Sequence, residues 1–126
     1  MDRIVVGYDG SDTARKAVEE AASVARDTSA ELHVVQVLSA PLIGAGASAT
    51  DDETDRLRLT FPDLDMEPAV LHGPAARVIV DFATAIEADL IVVGNRRVQG
   101  LSRVLGSVAI DVLRNAPCSV YVAHTS

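Results

Sequence analysis

The sequence predicts an open α/β domain, Rossmann-like in plan: one five-stranded parallel sheet in the order 3-2-1-4-5 with helices on both faces. Three observations predict it. Short apolar runs rich in Val and Ile alternate along the chain with segments of helical periodicity. Those runs are continuous, as in strands buried on both faces, and do not alternate with polar residues as half-exposed strands do. The chain of 126 residues, 48% apolar, has enough hydrophobic material for one core, so residues 1–126 are read as a single domain. Right-handed crossovers cover both faces of a sheet only if the winding reverses once, which gives an order such as 3-2-1-4-5.

Each element follows in turn. Arg3 to Tyr8 holds the β-branched run IVVG and is strand 1. After the Asp9-Gly10-Ser11 turn, Ala14, Ala17, Val18, Ala21, Ala22 and Ala25 fall on one helical face, with Ser11 as the expected N-cap. So small a face lets the helix lie close to the sheet. Glu31 to Leu38 is strand 2. Ser39 to Ala49 is turn-rich and reads as a surface loop, and Thr50 with Glu53 has capping-box spacing for a helix running to about Leu59, ended by Pro62. Glu67 to Leu71 is strand 3, which Pro68 assigns to a sheet edge. His72 and Gly73 turn the chain and Pro74 takes the first helical position, after which Ala75, Val78, Ile79, Phe82, Ala83 and Ile86 form a second apolar helical face. Asp89 to Gly94 is strand 4, Val108 to Ala116 a helix stopped by Pro117, and Cys118 to Ala123 strand 5.

Charge and composition exclude several functions. A net charge of −7 leaves no general basic face for nucleic acid or an anionic membrane. No apolar run approaches the ~18 residues of a membrane span, and MDRIVVGYDGS turns polar too soon for a secretory signal, so a cytoplasmic protein is expected. Cys118, the one cysteine, rules out an internal disulfide and reads as a buried structural thiol. His33, His72 and His124 are dispersed without metal-ligand spacing, and Asp51, Asp52 and Asp55 read as a helix start, because the alternating ligands and distal glutamate of a calcium loop are absent.

The stretch VVGNRRVQGLSRVLGSVA, Val92 to Ala109, carries the chemistry. Lys16 is the only lysine in the chain, yet Arg96, Arg97 and Arg103 cluster here beside Gly94, Gly100 and Gly106, and the stretch runs into a helix at Ser107. Glycines allow backbone to approach a ligand, and a helix N-terminus presents unpaired N–H groups to an anion. In the 3-2-1-4-5 order, strands 1 and 4 flank the reversal, and open α/β sheets bind ligands in the crevice there. Asp9, ending strand 1, and Gly94, ending strand 4, therefore converge on one site.

VGYDGS, HGPAARVIVDFA and DLIVVGN…GLSRVLGSVAIDVLRNAPCSVYV, in that order, resemble the universal stress protein family over almost the whole chain. The resemblance implies an adenine nucleotide α-hydrolase-like fold that binds adenine nucleotide. It implies ATP phosphates and ribose on Gly94, Gly106 and Ser107, nucleoside contact at Asp9, and adenine beside Val37; Asn95, Arg96, Arg97, Gly100 and Val108, which lie between and beside the loop residues, are further candidates for the same ligand. Mg2+ accompanying ATP, AMP or cyclic AMP as the ligand, and a homodimer through strand 5, Cys118 to Ala123, are also implied. Where the family carries its second loop glycine this chain has Arg97, and eight residues, Val98 to Leu105, separate it from Gly106. The arginine either fills the phosphate's space or replaces a backbone contact with a charge-assisted one. Three functions remain in competition: a dimeric nucleotide-binding stress sensor, a scaffold of the same family that works through dimerisation and an unidentified protein partner without nucleotide, and a slow ATPase. Phosphate recognition without a placed base or metal carboxylates ranks catalysis last. A P-loop is excluded because no Gly-Lys-Ser/Thr is present. The apolar edge VYVA of strand 5 wants a cover whatever the family.

Overall fold

The computed structural model describes residues 1–8, 12–38, 56–95 and 106–124. Strands β1 (Arg3–Tyr8), β2 (Glu31–Leu38), β3 (Met66–His72), β4 (Leu90–Asn95) and β5 (Ser119–His124) alternate with helices α1 (Asp12–Thr28), α2 (Ala75–Ala85) and α3 (Ser107–Asn115), and residues 56–60 are also helical. All strand pairings are parallel and the order is β3-β2-β1-β4-β5, as expected from the sequence. Ser11, the loop from Ser39 to Ala49, the Thr50/Glu53 capping box, and Asp51, Asp52 and Asp55 lie outside the described residues.

Two apolar layers explain why the sheet needs both faces covered. On one face Ile4, Val6, Leu32, Val34, Leu90 and Val92 pack under the alanine face of α1 and under Leu57. On the other, Val5, Val35, Ile91 and Val93 pack under Ile79 and Ala83 of α2 and Ala109 and Val112 of α3. Successive strand residues point to opposite faces, so each continuous Val/Ile run serves both layers at once. The six predicted α1 contact residues are all buried.

Element ends shift by a residue in places. Pro74 is the N-cap of α2 and not its first helical residue: its ψ of 127° is extended, and its carbonyl accepts the first helical bond, from Val78 N–H at 3.0 Å. Strand 3 runs on through His72, and the chain turns at Gly73, whose φ of +133° suits a residue without a side chain. Its placement at the sheet edge agrees with Pro68, which has no N–H to give a second neighbour. At the N-terminal end of the sheet, Asp89 Oδ2 accepts the backbone N–H groups of Asp2, at 2.6 Å, and Arg3, at 3.0 Å, tying the start of β1 to that of β4. Arg26 near the end of α1 bonds Asp63 at 2.8 Å and anchors the approach to β3. No helix among the described residues is long and apolar enough to cross a membrane.

Candidate functional site

A crevice of about 410 Å³ opens at the C-terminal ends of β1, β2 and β4, where the winding reverses. Its apolar wall is Val37 from the end of β2, Val93 from β4 and Ile79 from α2; Gly7 and Tyr8 supply the end of β1. The rim is made of helix beginnings: Thr13 and Ala14 of α1, Ala75 of α2, and Ser107, Val108 and Ala109 of α3. This arrangement follows from the fold, because every parallel strand hands the chain to a helix at the same end of the sheet. The described lining carries no Lys, Arg, Asp or Glu side chain. Its polarity comes from the side chains of Tyr8, Thr13, Asn95 and Ser107 and from the peptide groups that open α2 and α3, whose first-turn N–H groups have no carbonyl inside the helix to bond and sit at the positive end of its dipole. Neither α2 nor α3 has an acidic residue in its first turn to offset that charge.

The end of β4 is coupled to the start of α3 by one side chain. Asn95, 3% exposed, accepts the backbone N–H of Gly106 on Oδ1 at 2.7 Å. Gly106 is the N-cap, with φ −68° and ψ 162°, and its carbonyl accepts from Ile110 N–H at 3.1 Å. Ser107 is therefore the first helical residue, and the cap falls one position before it although serine is the usual capping type. The cap carries no side-chain hydrogen bond, since glycine has none to offer.

Of the ten residues marked out by sequence, six are described, and all six (Val37, Gly94, Asn95, Gly106, Ser107 and Val108) line this one crevice. Asp9, Arg96, Arg97 and Gly100, together with Arg103, lie outside the described residues. Gly94 has a different local reason from the one its sequence context suggests. A Cβ built on it falls 2.8 Å from the Thr13 carbonyl oxygen and 2.9 Å from Thr13 Cγ2, so its bare backbone admits the first turn of α1. At Gly106 a Cβ meets only Asn95 Oδ1, at 3.5 Å, an ordinary contact. Sequence reasoning missed Tyr8, Thr13, Ala14, Ala75, Ile79 and Ala109 as lining. The signal was available for Thr13 and Ala75, which open helices directly after strand ends; Ile79 reads only as helix core.

Outside the crevice, His33 Nε2 lies 3.1 Å from Glu31 Oε1 and its ring tilts against Phe82, at 5.8 Å between centroids. Among the described residues no cluster of His, Cys, Asp or Glu could hold a metal ion. Cys118 is half-buried against the α2/α3 layer, and burial, then the nearby Asp89 charge, push its thiol pKa up. Tyr121 on β5 is 41% exposed, and its hydroxyl donates to Glu20 Oε2 at 3.0 Å.

Comparison with known proteins places these features in context. The model of the Universal stress protein family matches residues 1–124. Universal stress protein MJ0531 of Methanocaldococcus jannaschii is 32% identical over 136 residues, covering 95% of this chain and 80% of that protein. Among solved structures, universal stress protein UspA from Lactobacillus plantarum superposes with a TM-score of 0.82 at 27% identity, covering 97% of each chain. A universal stress protein solved in complex with cAMP does so with a TM-score of 0.78 at 31% identity, covering 99% of this chain and 98% of the other.

Proposed function

This chain belongs to the universal stress protein family, and from that premise we propose that its crevice binds an adenine nucleotide and that occupancy is read out through a dimer formed on β5. The observation that carries the reading is the pairing of an apolar wall with a rim of helix N-termini in a single crevice. Val37, Val93 and Ile79 suit the flat apolar faces of a purine, whose burial there releases water from both surfaces. The first turn of α3 suits a phosphate, which takes N–H donors and the dipole together. Apolar wall and helix N-termini line one crevice, so the base and the phosphate of a single nucleotide find their partners together.

A nucleoside monophosphate, cyclic or open, is the leading ligand. One helical turn offers donors for one phosphate group, and the solved relative with 31% identity holds cAMP. ATP, with or without Mg2+, is the alternative within the same site and needs further groups for its outer phosphates. Those would come from the loop that carries Arg96 and Arg97. The described lining offers an apolar wall and oriented donors, which supports binding as the proposed function. The single cysteine and acidic charge suit a cytoplasmic sensor.

The dimer rests on a separate observation. β5 is the outer strand beside β4, and among the described residues no strand pairs with its other edge; its Tyr121 is exposed. A second copy of the same edge covers both.

Titration calorimetry tests the reading. Cyclic AMP, AMP, ADP and ATP are each added to the protein with and without Mg2+; saturable heat is expected for the monophosphates and is lost in Val37→Asp, which sets a carboxylate in the apolar wall. Absence of heat with all four nucleotides overturns nucleotide binding and favours the scaffold. A partnerless monomer in light scattering at high concentration overturns the readout through β5.

A further inference from the structure

We infer that Asn95 is a positioning residue for the phosphate end of the crevice, acting through the Gly106 backbone and not by touching the ligand. The inference rests on the nucleotide reading above and specifies how that site is held.

Three observations carry it. Asn95 is the last residue of β4, registered against His124 of β5, so its backbone shares the rigidity of the central sheet. Its side chain is 3% exposed, and Oδ1 lies 2.7 Å from Gly106 N with the N–H directed at it. Gly106 is the N-cap of α3, the helix whose first turn forms the anion rim. One buried hydrogen bond thus spans eleven positions of sequence and sets the start of α3 against the end of β4.

The consequence for the ligand is specific. With its N–H occupied by Asn95, Gly106 is not a phosphate donor. The next three N–H groups, those of Ser107, Val108 and Ala109, have no partner inside the helix and point along its axis from the N-terminal end. Gly106 itself imposes little on its own position, because its φ of −68° is open to any residue and a Cβ would be accommodated. Packing of Ala109 and Val112 seats α3 on the sheet, and the Asn95 bond fixes its first residue and so the direction of the three donors. Donors held in place before the ligand arrives avoid the entropy of being ordered on binding. The amide's reach matters as well as its polarity: a shorter side chain leaves Gly106 N–H to water and frees the first turn to tilt.

The experiment compares cyclic AMP with adenosine, which carries the same base and sugar but no phosphate, by titration calorimetry on the wild-type protein and on Asn95→Ala. Cyclic AMP is expected to bind the variant about tenfold more weakly and adenosine within about twofold of wild type, so that the ratio of the two affinities falls. Amide hydrogen exchange should show Gly106 N–H losing protection in the same variant. A general loss of stability would weaken both ligands alike and leave the ratio unmoved. Should Asn95→Ala fail to fold, Asn95→Ser keeps a polar side chain but draws the acceptor out of reach, and the same ratio is read on it. Binding by the wild type with an unchanged ratio in the variant overturns this inference alone. Absence of any binding by the wild type overturns the nucleotide reading and the inference with it.

Discussion

Gly94→Ala should loosen the packing of α1 on the sheet and misshape the crevice, although alanine is the smallest possible change. The added Cβ would lie 2.8 Å from the Thr13 carbonyl oxygen and 2.9 Å from Thr13 Cγ2, where ordinary contact begins near 3.4 Å. The conflict of ~0.6 Å is with backbone, so no side-chain rotation relieves it. Gly94 cannot retreat either, since it sits in β4 registered against Ala123 of β5, in a sheet buried on both faces. α1 must therefore move outward, and Thr13 and Ala14, its contributions to the crevice, move with it. Overpacking of this kind costs about 1–3 kcal/mol. For a domain of this size that lowers Tm by roughly 4–12 °C. Thermal unfolding followed by circular dichroism measures the shift, with Gly106→Ala as the comparison. There the Cβ meets only an ordinary contact at 3.5 Å, and the loss should stay under about 1 kcal/mol. A Gly94→Ala protein that melts no lower than Gly106→Ala would refute the claim that close helix approach is what this glycine serves.

Three other predictions follow from named contacts. Asp89, whose carboxylate accepts the N–H groups of Arg3 and Asp2, has its pKa lowered by those two bonds. A depressed folded pKa means stability that is complete above the ordinary carboxylate value of about 4 and is lost as pH falls through the folded one. Denaturant titrations from pH 6 to pH 2 should accordingly show a shallower acid loss in Asp89→Asn than in wild type; equal slopes would deny the contact any role. Tyr121→Lys keeps a partner for Glu20 but blunts the β5 edge, so it should weaken dimerisation measured by analytical ultracentrifugation while Tm of the monomer holds. A dimer as strong as wild type would place the interface elsewhere. Cys118, its thiol pushed up by burial and by Asp89, should react with an aromatic disulfide reagent at pH 8 more slowly than free cysteine, and at the free-cysteine rate only after unfolding.

The fold was legible in the sequence because it depends on patterns that repeat along the chain. The Val/Ile runs at residues 4–6, 34–35 and 91–93 could be satisfied only in a sheet covered twice, and the alanine face of α1 named its own partner. One reversal in a right-handed winding allows the order 3-2-1-4-5, and that order puts the ends of strands 1 and 4 side by side. Six candidate residues from three separate parts of the chain consequently reached the same crevice. Helix ends are less legible: Pro74 caps α2 where the sequence puts it at the first helical position, and Gly106 caps α3 beside a serine better suited to the role, because a cap is defined by backbone angles that one residue's identity only biases.

What only the tertiary structure decides is the atomic contact between particular residues far apart in sequence. Composition and periodicity marked Gly94 as a glycine beside an anion loop, but only its distance to Thr13 shows that it makes room for a helix. They marked Asn95 as a polar residue beside that loop, but only the bond to Gly106 shows that it joins strand to helix. Ile79 looked like helix core and is also crevice wall. Hydrophobic pattern decides which elements form and which face each one buries, since those follow from local period and solvent exclusion. Contacts of a few tenths of an ångström are decided by how the elements finally pack, and no local signal encodes them.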